Sequence, residues 1–263
     1  MVELDPLIRA FYAERYVEDD RLARSGHGRL EFLRTQELIR RCLPGPGATV
    51  LDVGGATGVH ARWLAADGYA VTLVDPVEEH VAKAAEVGTF AAVSGDARAL
   101  AQEDGSVDVT LLLGPLYHLV EAADRAQALA EARRVTRTGG LVVAAGISRY
   151  AGLLEYGTKG LIAEDNLHQF VEALATGRNY DEPDGFTNAY FHHADELRGE
   201  FERVGFSDID VLGVEGPAAA TLEHSAPEEV PRLLDSAVLL ARLLENDPRT
   251  ISTSFHFLAF GRV

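Results

Sequence analysis

An internal disulfide is impossible in this chain, because Cys42 is the only cysteine among its 263 residues. Beside Leu43 that thiol reads as a small apolar packing group. Lysine is almost as scarce. Only Lys83 and Lys159 occur, the arginines are scattered, and Asp+Glu 41 against Lys+Arg 24 set a formal net charge of −17. Proteins that grip a phosphate backbone neutralise it with clustered Lys and Arg, so no nucleic-acid partner is expected, and no anionic membrane surface either. A run of about eighteen apolar residues is also missing, which removes a membrane-spanning helix. The opening MVELDPLIRAFYAERY carries acids where a secretory signal needs an apolar segment. These absences lead to the expectation of a cytoplasmic protein. There is no Gly-x-Ser-x-Gly elbow to support hydrolase chemistry. No His-x-x-x-His or Cys/His pair stands at ligand spacing, and no metal is expected.

What is present is 47% hydrophobic content, enough for one well-buried domain, and one dense stretch over residues 49–76, TVLDVGGATGVHARWLAADGYAVTLVDP. It reads as a buried strand over 49–53, a turn Gly54-Gly55-Ala56-Thr57-Gly58, a helix over about 59–67, and a second strand ending on Asp75-Pro76. Small residues let the backbone approach a ligand, helix-start amides donate to it, and an acid after the second strand takes ribose hydroxyls. The dinucleotide frame Gly-x-Gly-x-x-Gly, started at Gly54, meets Ala56 and then Val59, so only its first glycine fits. An NAD-dependent oxidoreductase is therefore the rival reading. Asp75 would repel a 2′-phosphate, which argues further against NADP.

The frame that fits is Asp-x-Gly-Gly-Ala-Thr-Gly, from Asp52 to Gly58. It resembles motif I of the class I S-adenosylmethionine-dependent methyltransferases, with the middle glycine one residue early and Ala56 in its usual place. The neighbours agree. A third strand over 90–94 leads into Gly95-Asp96-Ala97. A fourth over 106–113 resembles the family's motif IV and leads into Gly114-Pro115-Leu116-Tyr117-His118-Leu119. A helix over 124–135 precedes Thr138-Gly139-Gly140 and strand five. The likeness is strong over 49–147 and looser through Asp195-Glu196-Leu197 and Gly205-Phe206. It implies a doubly wound, Rossmann-like α/β sheet of seven strands with the last antiparallel, and S-adenosyl-L-methionine as cofactor. By position, Gly54, Gly55 and Gly58 would line its methionine portion. Asp52 would order the turn and the amine, or only cap the backbone. Asp75 beside Pro76 would take the ribose, Asp96 and Ala97 the adenine, and Leu113 and Gly114 would lie beneath the sulfonium and ribose. The resemblance implies an enzyme. A partner subunit that holds the cofactor without methylating is the other alternative.

One domain spans 1–263, divided into a helical leader over 1–47, a cofactor core over 48–147, and insertions within 148–194 and 214–250. In the leader, 11–22 and 29–43 read as helices separated by a flexible break, Ser25-Gly26-His27-Gly28. It serves as a lid over the cofactor or as a packing helix. In the insertions, 153–158, 162–175 and 231–245 read as helices, the last with an apolar stripe. Insertions at the carboxyl ends of strands sit where ligands bind, so these segments, with the leader, are expected to build the pocket for a small-molecule acceptor. Its nucleophile is oxygen or nitrogen by preference, with carbon open. His118, with Tyr117 beside it, is the candidate base because it follows strand four. Capping a helix or binding a carbonyl is its alternative role. Adjacent His192 and His193 should point to opposite sides, and one of them, with His168 and Tyr16, is a candidate for touching substrate. Arg34 is a candidate for meeting the cofactor carboxylate or substrate. His27, His60, His80 and His256 carry no supporting pattern.

Overall fold

The computed structural model describes Leu22, residues 25–180 and residues 186–263. The helix expected over 11–22 therefore lies, but for Leu22, outside the described residues, and so does Tyr16.

Hydrophobic runs too short for helices pair side by side in the middle of the molecule. β1 (Thr49–Val53) is parallel to β2 (Ala70–Asp75) on one edge and to β4 (Val107–Leu112) on the other. β3 (Ala91–Ser94) extends the β2 side, and β5 (Thr136–Ser148) extends the β4 side. β9 (His256–Arg262) then pairs antiparallel with β5, and β8 (Ser207–Gly213) antiparallel with β9. The seven strands thus run in the order 3-2-1-4-5-9-8 with only β9 reversed, as the family resemblance implies. Order reverses at β1, so the sheet opens a crevice between the carboxyl ends of β1 and β4.

Side chains alternate across this sheet into two cores. Along β5, Val142 and Ala144 face one side, while Leu141, Val143 and Ala145 face the other. The first face packs on α5 (Ala122–Val135) through Ala128, Leu129 and Ala132, and on α8 (Ala194–Val204) through Leu197 and Phe201. The second packs on α1 (Gly26–Arg40) through Leu38 and Ile39, and on α2 (Val59–Ala66) through Ala61, Trp63 and Leu64. Between these lie α3 (Glu78–Ala85), α4 (Pro115–His118), α6 (Ala151–Thr158), α7 (Leu167–Thr176), α9 (Ala219–Glu223) and α10 (Val230–Leu244).

Two departures from the sequence reading have physical causes. α1 begins at Gly26, within the expected break. Ser25 caps it, its hydroxyl accepting from the Gly28 amide at 3.0 Å. Gly26 must lack a side chain because a Cβ there would lie 2.8 Å from the Leu222 carbonyl of α9. The second departure is a hairpin of β6 (Arg178–Asn179) and β7 (Ala189–His192). β5 outruns β4, which leaves its edge bare beyond Ala144. β7 takes up that edge, pairing Ile147 with Phe191 and Ser148 with His192.

One buried ion pair locks α5 and α8 to the segment after α4. Arg125 donates from Nε to Glu200 at 2.7 Å and from Nη1 to the carbonyls of Leu119 and Val120 at 2.9 and 2.8 Å. Its guanidinium lies over the Tyr190 ring at 3.7 Å. Arg125→Ala strands the Glu200 carboxylate in the interior and is expected to cost about 3–5 kcal/mol. Urea unfolding followed by circular dichroism measures this, and an unchanged midpoint would mean the pair is not structural.

Candidate active site

The crevice at the carboxyl ends of β1, β2 and β4 is a continuous cleft. Its floor and one wall are Asp52, Gly54, Gly55, Ala56, Val59 and His60, followed by Asp75, Pro76, Val77 and His80. Asp96, Ala97 and Arg98 border it, as do Leu113, Gly114, Tyr117 and His118. Every residue the sequence reading gave to the cofactor lies on this surface except Gly58, which sits just behind it as the N-cap of α2 with φ 90°.

The turn is shaped by its own neighbours. A Cβ on Gly54 would lie 2.7 Å from the Pro115 ring, and one on Gly58 would lie 2.6 Å from the Phe90 ring. Ala56, in the usual glycine position, has φ 47°, the left-handed region that costs an L-residue about 1–2 kcal/mol. What holds it there is Asp75. One carboxylate oxygen accepts the Ala56 amide at 2.9 Å, and the other accepts the Val77 amide at 2.9 Å and faces His80 Nδ1 at 3.3 Å. Asp52 is buried beneath the turn, and its Oδ2 has no hydrogen-bond partner among the described residues. Burial, with the Asp75 charge behind it, raises its pKa from 3.8 to about 7, against a bond from the Ala61 backbone. Asp96 is clamped by Arg98, which reaches both of its oxygens and also pairs with Asp124. Burial pushes Asp96 up, but the Arg98 bonds outweigh it and hold the carboxylate below its usual range.

His118 packs its ring on Phe186 at 5.7 Å and on Tyr117 at 4.7 Å. Burial lowers its pKa to about 4, opposed by a bond with the Asn188 backbone and by the Asp75 charge. The imidazole is neutral at pH 7. The other candidates separate from this centre. His192 is fully buried and meets Glu200 at 3.4 Å, where burial lowers its pKa despite that carboxylate. His193 precedes α8 and packs near Tyr150, and His168 is exposed beside the Asp165 carbonyl. None of the three lines the cleft. Arg34 is fully buried, bonded to Glu37, Glu245 and the Val214 carbonyl, and does not line it either. Among the described residues, the insertions reach the cleft directly at Val214 and indirectly where Phe186 and Asn188 back His118.

The far wall comes instead from Glu31 and Thr35 of α1, Val214 after β8, and His256 and Leu258 of β9. His60, His80 and His256, which lacked a pattern in the sequence, all border the cleft, and His27 joins His256 through Glu215. The one local signal was the pair His27 and Glu31, four apart on one helix face.

A methyltransferase domain model matches residues 51–144. A ubiquinone/menaquinone biosynthesis C-methyltransferase of Acidiphilium cryptum is 30% identical over 209 residues, covering 70% of this chain and 76% of that protein. A ubiquinone biosynthesis O-methyltransferase of Caulobacter vibrioides is 30% identical over 136 residues, covering 46% and 52%. The structure of a putative methyltransferase of Haloferax volcanii, solved with the Trm112 activator, superposes with TM-score 0.60 at 20% identity over 100% of this chain and 99% of that one. The chain belongs to the class I S-adenosylmethionine-dependent methyltransferases, and is an enzyme of that class. The oxidoreductase reading falls with this.

The cleft suits that cofactor. An orphaned buried carboxyl oxygen at Asp52 awaits a donor, Asp75 stands at the β2 end, and the first turn of α2 offers amides. Two outcomes follow. An ammonium group beside Asp52 favours its ionised form, so binding of S-adenosylhomocysteine with its amino group there at pH 7 should release about half a proton, given a pKa near 7. Calorimetry in buffers of different ionisation enthalpy reads this, and the dependence should vanish in Asp52→Asn. In the ligand-free fold the sign is fixed by the raised pKa. Asp52 favours the native state below pH 3.8 and that contribution is lost as pH rises through about 7. Separately, Ala56→Val should destabilise the fold by more than the alanine's own strain of about 1–2 kcal/mol. Ala56→Gly should not destabilise it, and thermal melts of the pair decide.

Proposed function

We propose that this enzyme methylates a small molecule at an oxygen or nitrogen atom, held between His118 and the wall formed by α1 and β9. The observation that carries the reading is the placing of Tyr117 and His118 immediately after β4, in the cleft and beside Gly114. The cofactor supplies an electrophilic methyl group on a sulfonium. The chain's own residues bring the acceptor into line and exclude water. His118, neutral at pH 7, accepts a hydrogen bond from the acceptor's O–H or N–H and takes its proton as the bond to carbon forms. With a pKa near 4 it is a weak sink, which suits a proton lost late in the transfer.

A small acceptor is supported by charge. A net −17 with only two lysines is a composition poorly suited to neutralising a polyanion. The Acidiphilium and Caulobacter relatives bear names from ubiquinone biosynthesis, one a C- and one an O-methyltransferase. The first of these favours carbon as the second reading. No described helix is long and apolar enough to cross a membrane.

Incubation with S-adenosylmethionine and pooled metabolites, read by mass spectrometry, should give a product heavier by one methylene. Labelled methyl appearing in bulk RNA would defeat the small-molecule reading. His118→Ala should lower kcat about 100-fold or more while S-adenosylhomocysteine affinity holds. Equal loss of both would make His118 a packing residue.

A further inference from the structure

We infer that His27, Glu31, Glu215 and His256 form a binding site for one divalent transition-metal ion at the acceptor end of the cleft. One potential ligand atom from each residue lies within 4.8 Å of all the others. His27 Nε2 stands 3.3 Å and His256 Nδ1 2.5 Å from the same oxygen of Glu215, and His256 Nδ1 stands 3.9 Å from Glu31. Bonds of about 2.0–2.2 Å in a tetrahedron place ligand atoms about 3.3–3.6 Å apart. Against a spread of up to 4.8 Å, the widest pair of the cluster needs to close by about 1 Å, within the reach of side-chain rotation. The short His256–Glu215 contact, now bridged by a proton, opens to admit the ion in that proton's place.

Three features favour an ion over a hydrogen-bonded cluster alone. His27 and Glu31 are one helical turn apart, so α1 presents both to one point. Glu215 is completely buried, and among the described residues its partners are Ser254, the His256 amide and the two imidazoles, with no lysine or arginine among them. A buried carboxylate needs a positive counterpart, and a metal ion provides it without protonating either ring. Lastly, Ser254 and the His256 amide fix the second oxygen of Glu215 at 2.8 and 3.0 Å, which turns the first oxygen toward the histidines. Two nitrogens and two carboxylate oxygens suit zinc, iron, cobalt or nickel rather than magnesium.

Glu31 and His256 border the cleft, so the ion would meet the acceptor there. It would hold an acceptor oxygen and lower its pKa, which eases passage of the proton to His118. That role rests on the methyl-transfer reading. Ion binding itself does not.

The test uses the untagged full chain, stripped with chelator and dialysed against Zn²⁺ or Co²⁺. S-adenosylhomocysteine calorimetry on the same samples reports the fold and the cofactor site. One equivalent of zinc and a Co²⁺ visible absorption band are expected. Glu215→Gln and His27→Ala should each weaken metal binding about 100-fold. His27 lies at the edge of the fold, and so serves if Glu215→Gln fails to fold. Wild-type protein that binds S-adenosylhomocysteine but takes up no metal overturns the site. So does metal uptake undiminished in folded variants. Metal uptake without S-adenosylhomocysteine binding leaves the site standing and counts against the cofactor reading instead.

Discussion

The cleft depends on the carboxylate of Asp75 holding two loops at once. Parallel strands end in amides that have no partner in the sheet, and here the β1 turn and the start of α3 would each be left with one. Asp75 accepts both, from Ala56 and Val77, and the Gly54 amide closes on the Val74 carbonyl at 2.7 Å. These three bonds bring the turn over the β2 end and force Ala56 into a left-handed backbone. Gly54 then gives Pro115 room to approach, which brings α4 and His118 against the same crevice. The glycines of the motif are thus needed first for packing of the protein on itself.

Charge follows from the same arrangement. Asp52 and Asp75 end adjacent parallel strands, so their carboxylates are close by construction. Asp75 accepts two amides and faces His80. Asp52 has fewer bonds, is fully enclosed, and absorbs the repulsion as a raised pKa. Asp96 meets the same burial and goes the other way, because Arg98 lies on it. Three acids of one cleft therefore differ in readiness. The one beneath the turn is poised to ionise when a cation arrives, while the one at the rim already has its cation.

The part of the cleft built at the ends of β1, β2 and β4 was legible because its residues lie close to the strands that position them. Asp52, Asp75, Asp96 and Leu113 each lie at or just beyond a strand end, and strand ends are local features of sequence. The opposite wall was not. Glu31, Glu215 and His256 come from a helix, a turn after β8 and the start of β9, brought together only by the order in which β9 and β8 add to β5. Nothing at Glu215 in sequence announces a fully buried carboxylate. Of the adjacent His192 and His193, the first is buried against Glu200 and the second lies near Tyr150. That depended on Arg125, a residue on the far side of α5's surface pattern that no periodicity distinguishes from an exposed arginine. The β6–β7 hairpin was missed because its cause is the unpaired overhang of β5, a length mismatch between strands far apart in the chain.

α1 shows how such a wall is kept in place. Arg34 has no exposure, and its guanidinium meets Glu37 on the same helix, Glu245 just beyond α10 and the carbonyl of Val214. Arg41 and Arg242 close the ring onto the same two acids. Burial pushes Glu37 up, but the three arginines prevail and hold it at about 2. Swinging α1 away as a lid would expose that guanidinium's partners and leave the Val214 carbonyl unpaired, which is costly for groups already desolvated. These bonds hold α1 against the body of the fold. Val214, whose carbonyl Arg34 holds, itself lines the cleft, and Glu215 follows it directly. The anchor of the helix and the placement of the acceptor wall are therefore one set of bonds, so a change that loosens Arg34 shifts His27, Glu31 and Glu215 together.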